Sequence, residues 1–379
     1  LANKLGVEVK VEPSPVRCYR DEEYIAAGVP LTSDLADCDF LVGIKEVPVA
    51  NLLPGKNYLF FSHTIKAQPQ NRKLLQAILE KQIRLIDFEV IVDDDGKRLI
   101  AFGYFAGMVG AHNTMWVLGN RTGQFSLPRM KDLHDYNEAK DHYEKLTLPP
   151  VRIVLTGSGR VGQGAMQVLR DMGIREVPSD AYLKETFDVP VFTNVDALEY
   201  AARLDDQPFT KGDYYKYPEL FKSVFKPYYK ASDVMINGIF WDKRAPAFFT
   251  REDMRKSSFR IRVVGDITCD IAPESSIPST LRPSTIADPV YGYHPITEAE
   301  TTPYQPDCID VMAIDNLPSE LPRDSSEYFG RVFIEKILSE LKNANKSKII
   351  QRATIAEKGQ LSERYRYLES YVKHDSIAV

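Results

Sequence analysis

Three glycines in one short run carry the clearest chemistry in the chain. Gly157, Gly159 and Gly162 stand in Thr156-Gly-Ser-Gly-Arg-Val-Gly-Gln-Gly164. The apolar run Val151–Leu155 precedes them and a helical stretch, Ala165–Met172, follows. A glycine turn between a strand and a helix suits the pyrophosphate of a dinucleotide. Gly157 permits the tight turn. Gly159 lets a phosphate approach bare backbone, and Gly162 lets the helix pack on the strand. Unpaired N–H groups and the positive dipole end of the helix complete the anion site. Ser158, Arg160 and Val161 fill the rest of the turn and are assigned to the cofactor site with the glycines.

An acid at a strand end about 20 residues on would hold the adenosine ribose. Glu176 and Asp180 are nearby, but neither sits cleanly at a strand end. Arg160 and Arg175 suit a 2′-phosphate instead. The sequence leaves NAD and NADP both open and leans to NADP. Two later strands, Ala231–Asn237 and Phe259–Val264, run into Asn237-Gly238 and Gly265-Asp266. Ligands of open α/β sheets lie at the carboxyl ends of strands, so Asn237, Gly238 and Asp266 are expected to line the cofactor crevice.

These residues need a scaffold, and the first third of the chain supplies one kind. Strands are predicted at Val7–Val11, Phe40–Lys45, Asn57–Ser62 and Arg84–Phe88. Helices are predicted at Asp21–Ala27, closed by Gly28, and at Asn71–Lys81, with Leu74, Leu75, Ile78 and Leu79 on one stripe. Alternation at this spacing predicts an α/β fold with parallel sheets flanked by helices. Small residues from Gly103 to Gly119 predict a helix lying close to another backbone and joining two domains. Residues 120–148 show no long periodic pattern, and Leu146–Pro150 reads as a linker.

Cys308–Ile314 reads as a last strand, and Ser325–Leu341 as an amphipathic helix returning to the first domain. The expected division is therefore 1–148 with 325–379, a discontinuous substrate and catalytic domain, and 149–324, the dinucleotide-binding domain. The Tyr-rich segment 207–229 has no assigned role. Residues 343–379 read as polar, with a helical patch near 361–371.

Composition narrows the function. The 379 residues are 44% apolar and 27% charged, ordinary for a globular protein of two domains. Lys plus Arg is 48 against 53 for Asp plus Glu, a net charge of −5 that is unsuited to nucleic acid. No apolar run reaches the roughly 20 residues of a membrane helix. Cys18, Cys38, Cys269 and Cys308 have neither zinc-knuckle spacing nor a disulfide framework, and they read as reduced thiols of a cytoplasmic protein. The six histidines form no HExxH, so no metal site is expected. No signal peptide is expected, and Leu1–Gly6 reads as the tail of a helix whose start lies upstream.

Several runs together resemble a known family. They are Phe60-Phe-Ser-His-Thr-Ile-Lys-Ala-Gln68, Arg84-Leu-Ile-Asp-Phe-Glu89, Ala101-Phe-Gly103, Asn237-Gly-Ile-Phe-Trp241, Asp315-Asn-Leu-Pro-Ser-Glu-Leu-Pro322 and Ser326-Glu-Tyr-Phe-Gly330. The chain resembles, over roughly residues 14 to 370, the lysine–ketoglutarate reductase half of aminoadipic semialdehyde synthase. It is more distantly similar to saccharopine dehydrogenase (L-lysine-forming) and to alanine dehydrogenase. The resemblance implies two Rossmann-like domains with the active site in the cleft between them. It also implies that lysine and 2-oxoglutarate condense to an imine, which a nicotinamide hydride reduces to saccharopine.

The same resemblance makes Lys45, in Gly43-Ile-Lys-Glu46, and His63, in Phe61-Ser-His-Thr64, the acid–base pair. Carbinolamine formation and loss of water each move a proton; histidine titrates near working pH, and burial tunes a lysine downward. Lys66 and Arg98 are candidates to bind substrate carboxylates, Gln68 to hydrogen-bond substrate, and Glu89 to receive the lysine amine or tune the pair. The family's N-terminal strand and its substrate-binding arginine have no counterpart after Leu1. The saccharopine-cleaving half has none either, so a stand-alone reductase is expected.

Two other readings compete. An enzyme like alanine dehydrogenase, or a reductase of another amine and keto acid, would use the same pair. The cation in His63-Thr-Ile-Lys-Ala-Gln68 favours a larger, multi-carboxylate substrate. A silent nucleotide sensor would have lost Lys45, His63 or the glycine turn, and all are intact.

Overall fold

The computed structural model describes residues 6–373; the predicted N-terminal helix tail, residues 1–5, lies outside them. The chain divides into two compact units, Leu1–Ala101 with Ser326–Val379, and Phe102–Ser325.

The first unit is built on a five-stranded sheet in the order Phe40–Val42, Asn57–Phe60, Arg84–Asp87, Thr354–Glu357, Gln360–Leu361. The first three strands are parallel, with Phe40 opposite Asn57 and Asn57 opposite Arg84. The apolar residues of the two inner strands are buried, as in a sheet covered on both faces, whereas Val42 on the edge strand is exposed. The helix Arg72–Glu80 buries Leu74, Leu75, Ala77 and Ile78, three of the four residues of the predicted stripe among them. Leu59, Leu75, Ile78, Leu85 and Ile355 are fully shielded from solvent.

Three expectations need correction here. Val7–Val11 is no strand; Val11 makes only an isolated bridge to Leu31. Cys308–Ile314 does not hold the last strand, because Thr354–Glu357 pairs antiparallel with Arg84–Asp87 through a bulge. That strand is four residues long and too short to show alternation beside its polar neighbours. The helix predicted over 325–341 spans Pro322–Lys342 in three pieces, with a π-helical turn at Phe333–Ile337. Phe329 and Phe333 meet the ring of Phe88 edge-on, at 5.3 and 6.3 Å.

The second unit carries an eight-stranded sheet in the order Ala299–Thr301, Tyr291–His294, Ile309–Met312, Val263–Asp266, Val234–Asn237, Arg152–Thr156, Val191–Val195, Arg175–Glu176. The last six are parallel, and the first two form an antiparallel edge. The helix Gly103–Thr122 belongs to this unit, so the division falls after residue 101 and not after 148.

Its glycines explain why. A Cβ on Gly107 would lie 1.9 Å from the carbonyl oxygen of Val161, and one on Gly164 would lie 1.9 Å from that of Tyr104. Two helices crossing this closely cannot be separated without exposing both backbones. Residues 120–148 hold a short helix, Tyr136–Tyr143, capped by the Asp135 carboxylate on the Glu138 N–H (3.0 Å). The Tyr-rich segment anchors one side in the core: Ala201–Arg203 pairs with Phe221–Ser223, and Tyr214 and Phe225 are buried against Tyr200 and Phe248, while Tyr215 and Tyr217 are exposed.

Among the described residues no helix is long and apolar enough to cross a membrane. All four cysteines are free thiols.

Candidate active site

The three parallel strands of the first unit end at one edge of their sheet. Lys45, His63 and Glu89 follow those ends, two or three residues beyond Val42, Phe60 and Asp87. Backbone pairing continues to the threshold of the loops. Gly43 donates to the Leu59 carbonyl (2.9 Å) and Phe61 to that of Ile44 (3.0 Å).

His63 then takes a left-handed backbone, φ 54°, uncommon for a residue with a Cβ. Such a conformation costs of order 1–3 kcal/mol and persists where the surroundings impose it. The single 3-10 turn Thr64–Lys66 follows, and Ala67 is left-handed as well. These bends bring Lys66 back toward the neighbouring strand. Glu89 receives both side chains there. Its Oε2 lies 3.4 Å from His63 Nδ1, and its Oε1 lies 3.3 Å from Lys66 Nζ. The Glu89 side chain is 13% exposed and that of Lys66 is 50% exposed, so the acid is anchored while the cation reaches solvent.

Beneath this cluster Asp87 is fully buried. It accepts from the Ser62 N–H (3.2 Å), the Ser62 hydroxyl and the Glu89 N–H (2.7 Å). Burial raises its carboxyl above the usual range.

The other assigned residues fall elsewhere. Lys45 is exposed and has no side-chain partner among the described residues, so the burial expected for it is not present. Gln68 is exposed, and its Oε1 accepts from Gln70 Nε2 (3.2 Å). Arg98 is half-buried on the turn that pairs Leu99 with Ile91.

In the second unit the glycine turn has the geometry a dinucleotide needs. Gly157 has φ +101°, and a Cβ there would lie 2.6 Å from the Gly238 carbonyl oxygen. A Cβ on Gly162 would lie 1.9 Å from the Gly157 oxygen. On Gly159 it would meet nothing within 4 Å, which leaves open backbone at the start of the helix Arg160–Asp171. The residues present therefore fit a pyrophosphate. Gly238 packs against Val161 Cγ1, where a Cβ would come within 2.8 Å.

Asn194 was missed by sequence reasoning. Its Nδ2 donates to the Gly157 oxygen (2.8 Å) and steadies the turn. The β-branched run Val191–Val195 was the available signal. That strand, not Arg175–Glu176, lies beside Arg152–Thr156. The acid ending the adjacent strand is therefore Asp196, which caps the next helix through the Leu198 N–H (3.0 Å) and pairs with Lys211. Glu176 instead pairs with Arg170 (2.5 Å). The guanidinium of Arg175 lies 5.2 Å over the Phe187 ring.

Asn237 and Asp266 sit deeper than a crevice lining. Both are fully buried. Asn237 accepts from Thr156 Oγ1 (2.6 Å) and donates to Asp266 Oδ1 (2.9 Å), while Asp266 also accepts from Thr268 (2.6 Å) and Thr280 (2.7 Å). They brace three neighbouring strand ends. Asp270 is a second group that sequence reasoning missed. Burial, helped by the nearby Asp266 charge, pushes its carboxyl up to about 6. A cavity of about 510 Å³ lies at the ends of the outer strands, lined by Glu176, Ser179, Thr193, Asn194 and Glu199 among others.

The family described as alanine dehydrogenase/PNT, N-terminal domain, matches residues 1–109. Alpha-aminoadipic semialdehyde synthase, mitochondrial, of Mus musculus is 29% identical over 421 residues, 97% of this chain and 44% of that protein. The chain thus spans less than half the length of that relative. Saccharopine dehydrogenase [NAD(+), L-lysine-forming] of Emericella nidulans is 27% identical over 92% of this chain and 88% of its own. An L-alanine dehydrogenase structure shares the fold with a TM-score of 0.63 at 12% identity, covering 98% of this chain and 92% of its own. The resemblance read from the motifs holds: the chain is similar to these proteins over nearly all of its length, and it shares its fold with the L-alanine dehydrogenase.

Proposed function

We propose that this chain reduces the imine of lysine and 2-oxoglutarate to saccharopine with a nicotinamide nucleotide. The carrying observation is the pairing of His63 and Lys66 on the two oxygens of Glu89 at the carboxyl edge of a parallel sheet. An acid–base group beside a fixed cation is what a keto diacid and an amine require.

The nucleotide supplies a hydride when bound. The glycine turn is assigned its pyrophosphate, with Gly157, Ser158, Gly159, Arg160, Val161 and Gly162 around it. Asn237, Gly238 and Asp266 hold the turn from behind. His63 exchanges the protons of carbinolamine formation and dehydration: the amine nitrogen loses a proton, and the leaving hydroxyl gains one as water. Lys45, at the same sheet edge, is the second exchanging group. Lys66 meets a substrate carboxylate; Gln68 and Arg98 are assigned to the same substrate on the resemblance alone.

The nucleotide lean shifts. The Emericella relative carries NAD(+) in its name. Glu176 and Glu199 line the cavity at the ends of the outer strands, and Arg175 is engaged on Phe187. These favour a free ribose, so we take NAD over the NADP that Arg160 and Arg175 suggest in the sequence. Four free thiols suit the cytoplasm.

The test follows nicotinamide absorbance with NADH or NADPH on adding lysine plus 2-oxoglutarate, with ammonia plus pyruvate in parallel. Oxidation that needs lysine and disappears in Lys45→Met and His63→Gln is expected. Turnover with ammonia and pyruvate alone would instead favour an alanine dehydrogenase-like activity, which the matched N-terminal family and the shared fold make the second reading. Nucleotide binding without any turnover would leave a sensor.

A further inference from the structure

We infer that Asp87 is a positioning residue: it fastens Ser62 and Glu89 to one buried carboxylate and so sets the geometry between His63 and Glu89. The inference rests on the proposed role of that pair.

The hydrogen-bond directions are determined by proton count. Two donors to Asp87 are backbone N–H groups, those of Ser62 and Glu89. The third is the Ser62 hydroxyl, which has one proton to give. Ser62 Oγ must therefore accept from its other neighbours, the Thr64 N–H (3.2 Å) and the Thr64 hydroxyl (2.7 Å). His63 stands between two residues that are both tied to this network, and its left-handed backbone is held from either side. On the adjacent strand, Glu89 is tied by its own N–H to the same carboxylate. Both halves of the pair thus refer to one group.

No lysine or arginine pairs with Asp87 among the described residues. A buried carboxylate compensated only by neutral donors is costly relative to a well-packed apolar side chain. Three donors aimed at one carboxylate, without a cation, fit a device that fixes orientation rather than one that adds stability.

The experiment compares wild type, Asp87→Asn, Ser62→Ala, Glu89→Gln and the Asp87→Asn/Glu89→Gln pair. Asp87→Asn is expected to lower kcat for lysine plus 2-oxoglutarate at least tenfold while the nucleotide Kd stays within twofold. In the Glu89→Gln background the same substitution is expected to lower kcat by less than twofold, because the partner it positions is already gone. A purely structural role predicts additive losses, and additive losses overturn the inference, as does a kcat retained within threefold at lowered Tm. The nitrogen-15 shifts of the His63 ring, assigned with His63→Gln, give a readout without turnover. They should move in Asp87→Asn in the direction seen for Glu89→Gln; unmoved shifts overturn the inference even if lysine is not the substrate. Ser62→Ala, the milder change, should move them less.

Discussion

The imidazole of His63 and the carboxylate of Glu89 arrive from neighbouring parallel strands and stand 3.4 Å apart, with the second Glu89 oxygen 3.3 Å from Lys66. One carboxylate therefore orients a proton carrier and a cation at once. Hydrogen bonds to charged groups are worth roughly 1.5–3 kcal/mol. Glu89→Gln is accordingly expected to lower kcat by about 10- to 100-fold. Lys66→Met should chiefly raise KM for the keto acid, leaving kcat within a few-fold. Steady-state kinetics with each substrate varied separates the two. A Glu89→Gln enzyme with wild-type kcat would remove the carboxylate from the mechanism.

The glycine turn offers a pair of variants that separates binding from folding. Gly159→Ala places its Cβ in open space at an ordinary φ of −77°. It should leave Tm unchanged and weaken nucleotide binding at least tenfold, by occupying the phosphate's approach. Gly162→Ala drives a Cβ to 1.9 Å from the Gly157 oxygen and should lower stability by about 1–3 kcal/mol or more. Thermal melts and nucleotide titrations on both variants check this. Equal effects of the two would mean that phosphate does not sit over Gly159.

His112 makes the second unit acid-sensitive. It is fully buried, its Nε2 donates to the Pro128 carbonyl (2.7 Å), and its Nδ1 accepts from the Tyr143 hydroxyl (2.6 Å). Burial holds its pKa down at about 4, against the usual 6.5. Below pH 6.5 the unfolded chain takes up a proton that the folded one refuses until about pH 4. The stability tied to neutral His112 is therefore complete above that window and is lost as pH falls through it, by roughly 3 kcal/mol in all. His112→Gln should be less stable than wild type at pH 7 yet fall less steeply between pH 6.5 and 4.5. Denaturant midpoints across that range give the slopes; parallel slopes would assign the acid sensitivity to other groups.

The ion pair of Arg129 with Glu320 is a stability element with no part in the proposed chemistry. Glu320 is 1% exposed and also accepts from Asn113 Nδ2 (2.9 Å). Glu320→Ala strands the guanidinium and should cost about 3–5 kcal/mol. The Arg129→Met/Glu320→Leu double variant should recover most of that loss. Urea midpoints decide it, and a Glu320→Ala loss under 1 kcal/mol would contradict the buried-charge argument.

The glycine turn was legible because every residue type in it answers a local demand of backbone space. The parallel strands around Tyr58 and Leu85 were legible because continuous apolar runs can only be buried. What escaped the sequence depends on long-range pairing. Asn194 reads as an ordinary strand residue until Val191–Val195 is placed beside the glycine strand, and the order of strands is not a local property. The helix from Gly103 was recognised, but its partner was not, because Gly107 and Gly164 show their fit only when brought face to face. Lys45 and His63 came from resemblance; by themselves they are a lysine and a histidine after strands. Asp87 stands in the Arg84–Glu89 run but draws no role from it, since burial, not residue type, gives it meaning.

The strand Thr354–Glu357 extends the sheet that begins with Phe40–Val42. All of residues 102–325 are translated between them. On the ribosome, the edge of Arg84–Asp87 therefore stays unpaired while the entire second unit emerges and gains structure. For that interval it is an open parallel edge, the kind of surface that recruits foreign strands. The first unit is therefore the one exposed to mispairing while the chain grows, and a translational pause before residue 354 should raise aggregation more than one placed after it.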